Sequence, residues 1–357
     1  MNTNGGFQPV FCTIVPPHLL DRLSRAENST VADRARRTLR RDAAERTQRR
    51  LTTVVGARTV AAPAGAEAGK PHRTIYDLRH GTDLPGTKVR GEGDKPGKDA
   101  TVNRAYAGLG ATFEMLLKAY GRNSIDGNGL PLVASVHYDH EYGNAFWNGE
   151  QMVFGDGDGE IFLDFTVSID IIGHELVHGV TQYTANLAYF NQSGALNESV
   201  SDVFGSLIKQ YSKDQTAEQA DWLIGEGLLG PDVTGTALRS LKAPGTAYDD
   251  DVLGKDPQPA TMDDYVRTGQ DNGGVHINSG IPNHAFYLFA KALGGKAWER
   301  AGQVWYDALT GGELGSDATF EEFAGLTLAA ARERYGDDGE ELDAVAKAWE
   351  QVGVATS

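Results

Sequence analysis

Ile169-Asp-Ile-Ile-Gly-His174-Glu175-Leu-Val-His178-Gly-Val180 is the stretch on which the reading turns. It lacks proline and its apolar residues recur at helical spacing, so it reads as a helix. Residues four apart lie one turn up the same helix face, so the His174 and His178 imidazoles can reach one ion. Glu175 lies roughly 100° round from His174, too far to share that position but near enough to touch a water held there. This HExxH arrangement has the geometry that metal-assisted hydrolysis requires. Read alone, the segment also fits a buried helix with two hydrogen-bonded histidines.

The next helical stretch, Asn197-Glu198-Ser-Val-Ser-Asp202, narrows the choice. Glu198 and Asp202 share a face one turn apart, while Val200, Val203, Phe204 and Leu207 point elsewhere, into a core. Two carboxylates on the inner part of a helix are costly to bury unless a cation meets them. Two His and one Glu would leave the fourth tetrahedral position open, the catalytic pattern for zinc. Asp202 is then expected to accept a hydrogen bond from a ligand His and so set its tautomer.

Working outward, residues 132–138 alternate as a strand, and Ala145 to Trp147 and Glu150 to Phe154 flank the hairpin signal Asn148-Gly149. With a helix over 101–120, residues 74–167 read as a sheet-rich α+β lobe. Residues 168–357 read as the central HExxH helix and a helical lobe, including a capping box at Thr319 and Glu322 and a helix opened by Pro282. The fold expected is therefore α+β, two lobes joined by the metal-binding helix. Residues 19–51 contain neither Gly nor Pro and are expected to form one further helix. Val54 to Lys70 reads as an exposed, readily nicked linker.

Composition sets outer limits. The 357 residues carry a net charge of −16, yet residues 1–50 hold ten Arg against five acids. A basic leading segment on an acidic body is expected to dock there rather than hold nucleic acid. No apolar run approaches membrane-spanning length, and the first ten residues lack a secretory signal. The chain is therefore expected in the cytoplasm or on a non-classical export route, and as a monomer. The single Cys12 excludes an internal disulfide.

Over residues 74–357 the chain resembles the thermolysin-like metallopeptidases, on 144–159 (NAFWNGEQMVFGDGDG), His174 to His178, Gly194-Ala-Leu-Asn-Glu-Ser-Val-Ser-Asp202 and Asp271-Asn-Gly-Gly-Val-His-Ile-Asn-Ser-Gly280. The resemblance implies an endopeptidase with one catalytic zinc on His174, His178 and Glu198, and Glu175 as the base. It implies that Tyr189 and His276 donate to the developing oxyanion, with Asp271 orienting His276. It further implies that Asn144 and the Ala145 backbone pair with substrate, and that Arg239 holds a substrate carbonyl. Phe162, Ile171 and Leu238 would line an apolar pocket for the side chain after the scissile bond. Relatives bind calcium near the catalytic helix. Here Asp170, Asp221 and Glu226 match such positions, but Lys209 stands where a shared carboxylate is expected, so calcium binding should be absent or weak.

Residues 1–55 resemble the short pro-segment of the protealysin-like branch, on Pro16-Pro17-His18-Leu19-Leu20, which implies a latent precursor with Pro16, Pro17 and Leu19 in the cleft. Residues 56–73 would be its linker and maturation region. Cys12 could reach a metal as thiolate, but one Cys without a supporting motif is expected to be inert. His18, His72, His80, His137, His140 and His284 match no ligand position. Three other readings stay open. A zinc aminopeptidase would need an acidic anchor for a free amine, and none is evident. An inactive peptide binder sits poorly with intact Glu175, Tyr189 and His276. A nucleic-acid binder rests on the Arg-rich start alone and predicts steep salt dependence.

Overall fold

The computed structural model describes residues 12–55 and 69–356. Most of the expected linker, 56–68, lies outside them, as do the side chains of Leu51, Val54 and Val55. A six-stranded sheet forms the first lobe, in the order β1-β5-β6-β4-β2-β3. Its strands are β1 (Cys12–Thr13), β2 (Arg73–Asp77), β3 (Thr87–Gly91), β4 (Leu132–Val136), β5 (Ala145–Trp147) and β6 (Met152–Phe154). The expected hairpin is present, with β5 antiparallel to β6. Edge strand β1 comes from the amino-terminal segment and runs antiparallel to β5, Cys12 opposite Trp147.

That segment continues as α1 (Pro17–Leu23) and α2 (Ser29–Val55). The single helix expected over 19–51 is therefore two. The break comes at Asn28, whose side chain accepts from the Thr30 and Val31 N–H groups and starts α2 afresh. Asn side chains compete for backbone donors in this way, which is why they favour caps over helix interiors.

α3 (Ala100–Tyr120) begins on the Asp99 side chain, which caps the Val102 N–H, and packs on α4 (Ile169–Gln182). Every residue of α4 from Asp170 to Thr181 is buried. A helix dry on all sides must satisfy its polar side chains within the protein. The second lobe adds α5 (Asn191–Ser212), short strands β7 (Leu223–Ile224) and β8 (Arg239–Ser240), and α6 (Asp271–Asn278). Helices α7 (Gly280–Leu293), α8 (Ala301–Thr310), α9 (Phe320–Tyr335) and α10 (Glu340–Gln351) complete it. The capping box at Thr319 and Glu322 opens α9 as expected.

α4 and α5 approach closely because Gly205 faces the α4 backbone. A Cβ there would lie 2.6 Å from the Asp170 carbonyl oxygen, closer than carbon and oxygen can pack. Gly205→Ala is expected to push the helices apart and cost about 1–3 kcal/mol, as overpacked cores do. A urea midpoint equal to wild type would show that the crossing has slack.

Candidate active site

The α4–α5 crossing turns His174 and His178 of one helix toward Glu198 of the other. His174 Nδ1 lies 2.8 Å from Asp202 Oδ1, and His178 Nδ1 lies 2.8 Å from Asn197 Oδ1. Both Nδ1 atoms donate there, so both Nε2 atoms carry bare lone pairs. Those two Nε2 atoms stand 3.1 Å apart. Facing lone pairs repel unless a cation lies between them, and burial, the largest influence, holds the His178 pKa down at about 4. Glu198 closes the set, with Oε2 3.5 Å from His174 Nε2 and Oε1 3.5 Å from His178 Nε2. Glu198 Oε2 is buried without a hydrogen-bond partner, as is Glu175 Oε1. Roughly 2.0–2.1 Å bonds at tetrahedral angles would separate two donor nitrogens by about 3.3 Å, so the nitrogen and oxygen donors fit a small divalent cation.

Asp202 anchors the arrangement. It accepts hydrogen bonds from His174 Nδ1, from Arg239 Nε at 2.8 Å and Nη2 at 2.8 Å, and from Asn283 Nδ2 at 2.9 Å. Burial alone would raise its carboxyl, but the Arg239 charge and His174 hold it well below the usual range. Burial and then the Glu198 charge push Glu175 the other way, well above it. Glu175 Oε2 accepts the Trp147 N–H of β5 at 3.0 Å.

His276 reaches the same space from α6. Asp271, Asn272, Gly273 and Gly274 all have positive φ, a tight turn in which a Cβ on Gly273 would lie 2.1 Å from Asn191 Oδ1. The turn bends Asp271 back so that its carboxylate accepts His276 N at 2.9 Å and Nδ1 at 2.7 Å. Burial would depress the His276 pKa, but the Asp271 and Glu198 charges push it up to about 9. Tyr189 OH donates to Glu198 Oε1 and lies 3.1 Å from His276 Nε2.

The amino-terminal strand fills the cleft between these groups. Ile14 N donates to the Ala145 carbonyl at 3.1 Å, Val15 N to Asn144 Oδ1 at 2.9 Å, and Arg239 Nη1 to the Ile14 carbonyl at 3.0 Å. His276 Nε2 lies 3.2 Å from the Thr13 carbonyl oxygen. These polar contacts are made by Thr13 to Val15, immediately ahead of Pro16, Pro17 and Leu19, the residues expected in the cleft. Pro16 has no N–H to give a sheet, and with Pro17 it opens α1 instead, while Leu19 and Leu20 are buried in the main core. Ile14 is buried in that core too, as are Phe162, Ile171 and Leu238, the last two meeting beside Gly225. Cys12, expected to be inert, is buried with its sulfur beside His178 and Glu198.

Helix α2 clasps the body by charge. Arg34 pairs with Glu141 at 2.7 Å and Glu160 at 2.8 Å, Arg37 with Glu141 at 2.6 Å, and Arg41 with Asp139 at 3.2 Å. Deeper in, Asp42 accepts from Tyr142 OH at 2.5 Å and from Asn144 Nδ2 at 3.1 Å. The clasping helix therefore holds the side chain that receives Val15. No role for Asn197, Asn283 or Asp42 follows from the sequence reading alone. Of these, only Asn197 carried a signal, one residue before Glu198 within the matched stretch.

Lys209 Nζ sits 2.8 Å from Asp170 Oδ2 and 2.8 Å from Asp221 Oδ1, and donates to the Leu223 carbonyl at 2.8 Å. Glu226, the third acid expected here, is exposed. Burial works against the ammonium, but Asp170 outweighs it and raises the Lys209 pKa.

Residues 64–182 match the thermolysin metallopeptidase catalytic domain, and residues 185–354 match the alpha-helical domain of the same family. An extracellular metalloprotease of Pectobacterium carotovorum subsp. carotovorum is 55% identical over 287 residues, covering 80% of this chain and 82% of the relative. Protease PrtS of a Photorhabdus species is 53% identical, covering 79% of this chain and 76% of the relative. Among solved structures, the precursor of protealysin, a metalloproteinase from Serratia proteamaculans, aligns with a TM-score of 0.87 at 51% identity. That alignment covers 96% of this chain and all of the precursor, 100%.

Lys209→Met would strand the buried Asp170 carboxylate without its cation. Such a loss is expected to cost about 3–5 kcal/mol, read from urea denaturation. A cost below about 1 kcal/mol, the range of an exposed pair, would mean that Lys209 is not the counter-charge.

Proposed function

We propose that this chain, which belongs to the thermolysin family of metallopeptidases, is the latent precursor of a zinc endopeptidase that cuts on the amino side of large apolar residues. The observation that carries this reading is the pair of imidazole lone pairs turned toward one buried carboxylate. His174, His178 and Glu198 would hold zinc, which when bound would polarise the scissile carbonyl and acidify the attacking water. Glu175 takes that water's proton and hands it to the leaving amine. Trp147 N–H pins one carboxylate oxygen and leaves Oε1 free for the transfer. Tyr189 and the cationic His276 donate to the oxyanion as it forms, and Asp271 keeps His276 aimed.

The strand in the cleft supports the specificity. Its N–H and carbonyl partners are Ala145, Asn144 and Arg239, an added-strand mode of peptide recognition. With the Thr13 carbonyl at His276, the following residue, Ile14, takes the place of the side chain after the scissile bond. Burying such a side chain among Phe162, Ile171 and Leu238 is worth about 1.5–3 kcal/mol. Calcium is dispensable, because the Lys209 ammonium already bridges Asp170 and Asp221 and offsets part of their charge. Added calcium is expected to leave the melting temperature unchanged, and a clear rise on its addition would refute this substitution.

Glu175→Gln is expected to keep its zinc and lose nearly all peptidase activity, since proton transfer and metal holding belong to different side chains. A variant retaining more than about a tenth of the wild-type rate would remove Glu175 from the base role. Sequencing of casein fragments cut by the mature wild type should find Leu, Phe, Ile or Val after the cut. Mainly charged residues there would refute the apolar pocket.

Latency follows from the same contacts. A tethered segment acts at an effective concentration near millimolar, so modest contacts suffice to block the cleft. The intact precursor is expected to be nearly inactive, and weakening the clasp with Arg34→Ala and Arg37→Ala should raise its activity or speed its maturation. An intact precursor as active as the mature form would end this reading.

A further inference from the structure

We infer that Cys12 closes the metal centre of the latent chain as its fourth protein ligand, joining His174, His178 and Glu198. The inference rests on the metal reading of those three residues and adds how the site is shut. Cys12 is 2% exposed, and its Sγ, a ring nitrogen of His178 and a carboxylate oxygen of Glu198 all lie within 4.8 Å of one another. The strand register holds it there. Cys12 pairs with Trp147, the residue whose N–H fixes Glu175, while Ile14 and Val15 are tied to Ala145 and Asn144.

A second, independent observation points to a ligand at this place. Glu198 Oε2 and Glu175 Oε1 are fully buried and accept no hydrogen bond. One thiol hydrogen cannot satisfy both oxygens and the two imidazole lone pairs beside them. A cation accounts for Glu198 Oε2 and the two lone pairs, a proton on Glu175 accounts for Oε1, and the cation brings the sulfur into use. Zinc takes thiolate as readily as imidazole, and sites with four protein ligands are structural, whereas catalytic ones keep a position for water. In forming the Zn–S bond the thiol gives its proton to the Glu175 carboxylate, and no oxidation state changes. When the segment leaves, that bond breaks, the proton returns to sulfur, and the fourth position opens to solvent. The precursor is then shut twice, by the strand across the cleft and by the sulfur at the metal.

The full-length chain, checked as intact by mass, would be loaded with zinc for X-ray absorption and with Co(II) for optical spectroscopy. The expected result is one sulfur at about 2.3 Å from zinc and a near-ultraviolet thiolate-to-Co(II) band. Cys12→Ser and proteolytic removal of the segment should each abolish the band while one metal per chain remains. One bound metal with only nitrogen and oxygen neighbours in the intact wild type would overturn the ligation and leave the metallopeptidase reading standing. Failure of the intact chain and of the processed enzyme alike to bind either metal would overturn both. The zinc spectrum of the wild type decides the matter even if the Ser variant does not fold.

Discussion

Two unprotonated imidazole nitrogens 3.1 Å apart, with a buried carboxylate closing on them, form the constraint that organises the molecule. Each imidazole keeps its lone pair inward only because its other nitrogen donates outward, His174 to Asp202 and His178 to Asn197. Asp202 in turn stays ionised because Arg239 pairs with both its oxygens. Gly205 allows α5 close enough to α4 for Asn197, Glu198 and Asp202 to reach their partners. A buried polar network of this kind is worth having only when every member is satisfied. The two carboxylate oxygens left without partners, on Glu175 and Glu198, mark where something other than protein belongs.

The amino-terminal segment exploits the same groups. Arg239 holds Asp202 with two of its nitrogens and the Ile14 carbonyl with the third. Asn144 is shared in the same way, receiving Val15 with its oxygen and giving its amide to Asp42 of α2. Helix docking on the outside and strand docking inside are thereby linked through one side chain. Exposed ion pairs such as Arg37 with Glu141 contribute little singly. A row of them on one helix sets its orientation, and the buried contacts at Asp42 and Asn144 hold the position.

Lys209 meets Asp170 inside the α4–α5 crossing, so a side chain supplies the counter-charge to that buried carboxylate. Desolvating an ammonium and a carboxylate together is costly, and such a pair stabilises little over an apolar filling. Its consequence is instead that the charge balancing Asp170 folds with the chain.

Elements whose logic is local are legible in the amino-acid order alone. The spacing of His174 and His178, the shared face of Glu198 and Asp202, the Asn148-Gly149 hairpin and the capping box at Thr319 all follow from the geometry of a helix turn or a tight turn. A helix period reports which residues share a face, whatever lies opposite. It does not report what comes to meet that face, and there the tertiary structure decided. Ile14 meets Arg239 across 225 residues, and Asn283 meets Asp202 across 81. No local pattern encodes those separations. The break at Asn28 is hard to read because the flanking helices share a composition, although the Asn28 side chain that restarts the helix is itself a local feature. Cys12 is the extreme case, a lone residue with no motif around it. Strand register, fixed by backbone hydrogen bonds to β5, carries it to His178 and Glu198.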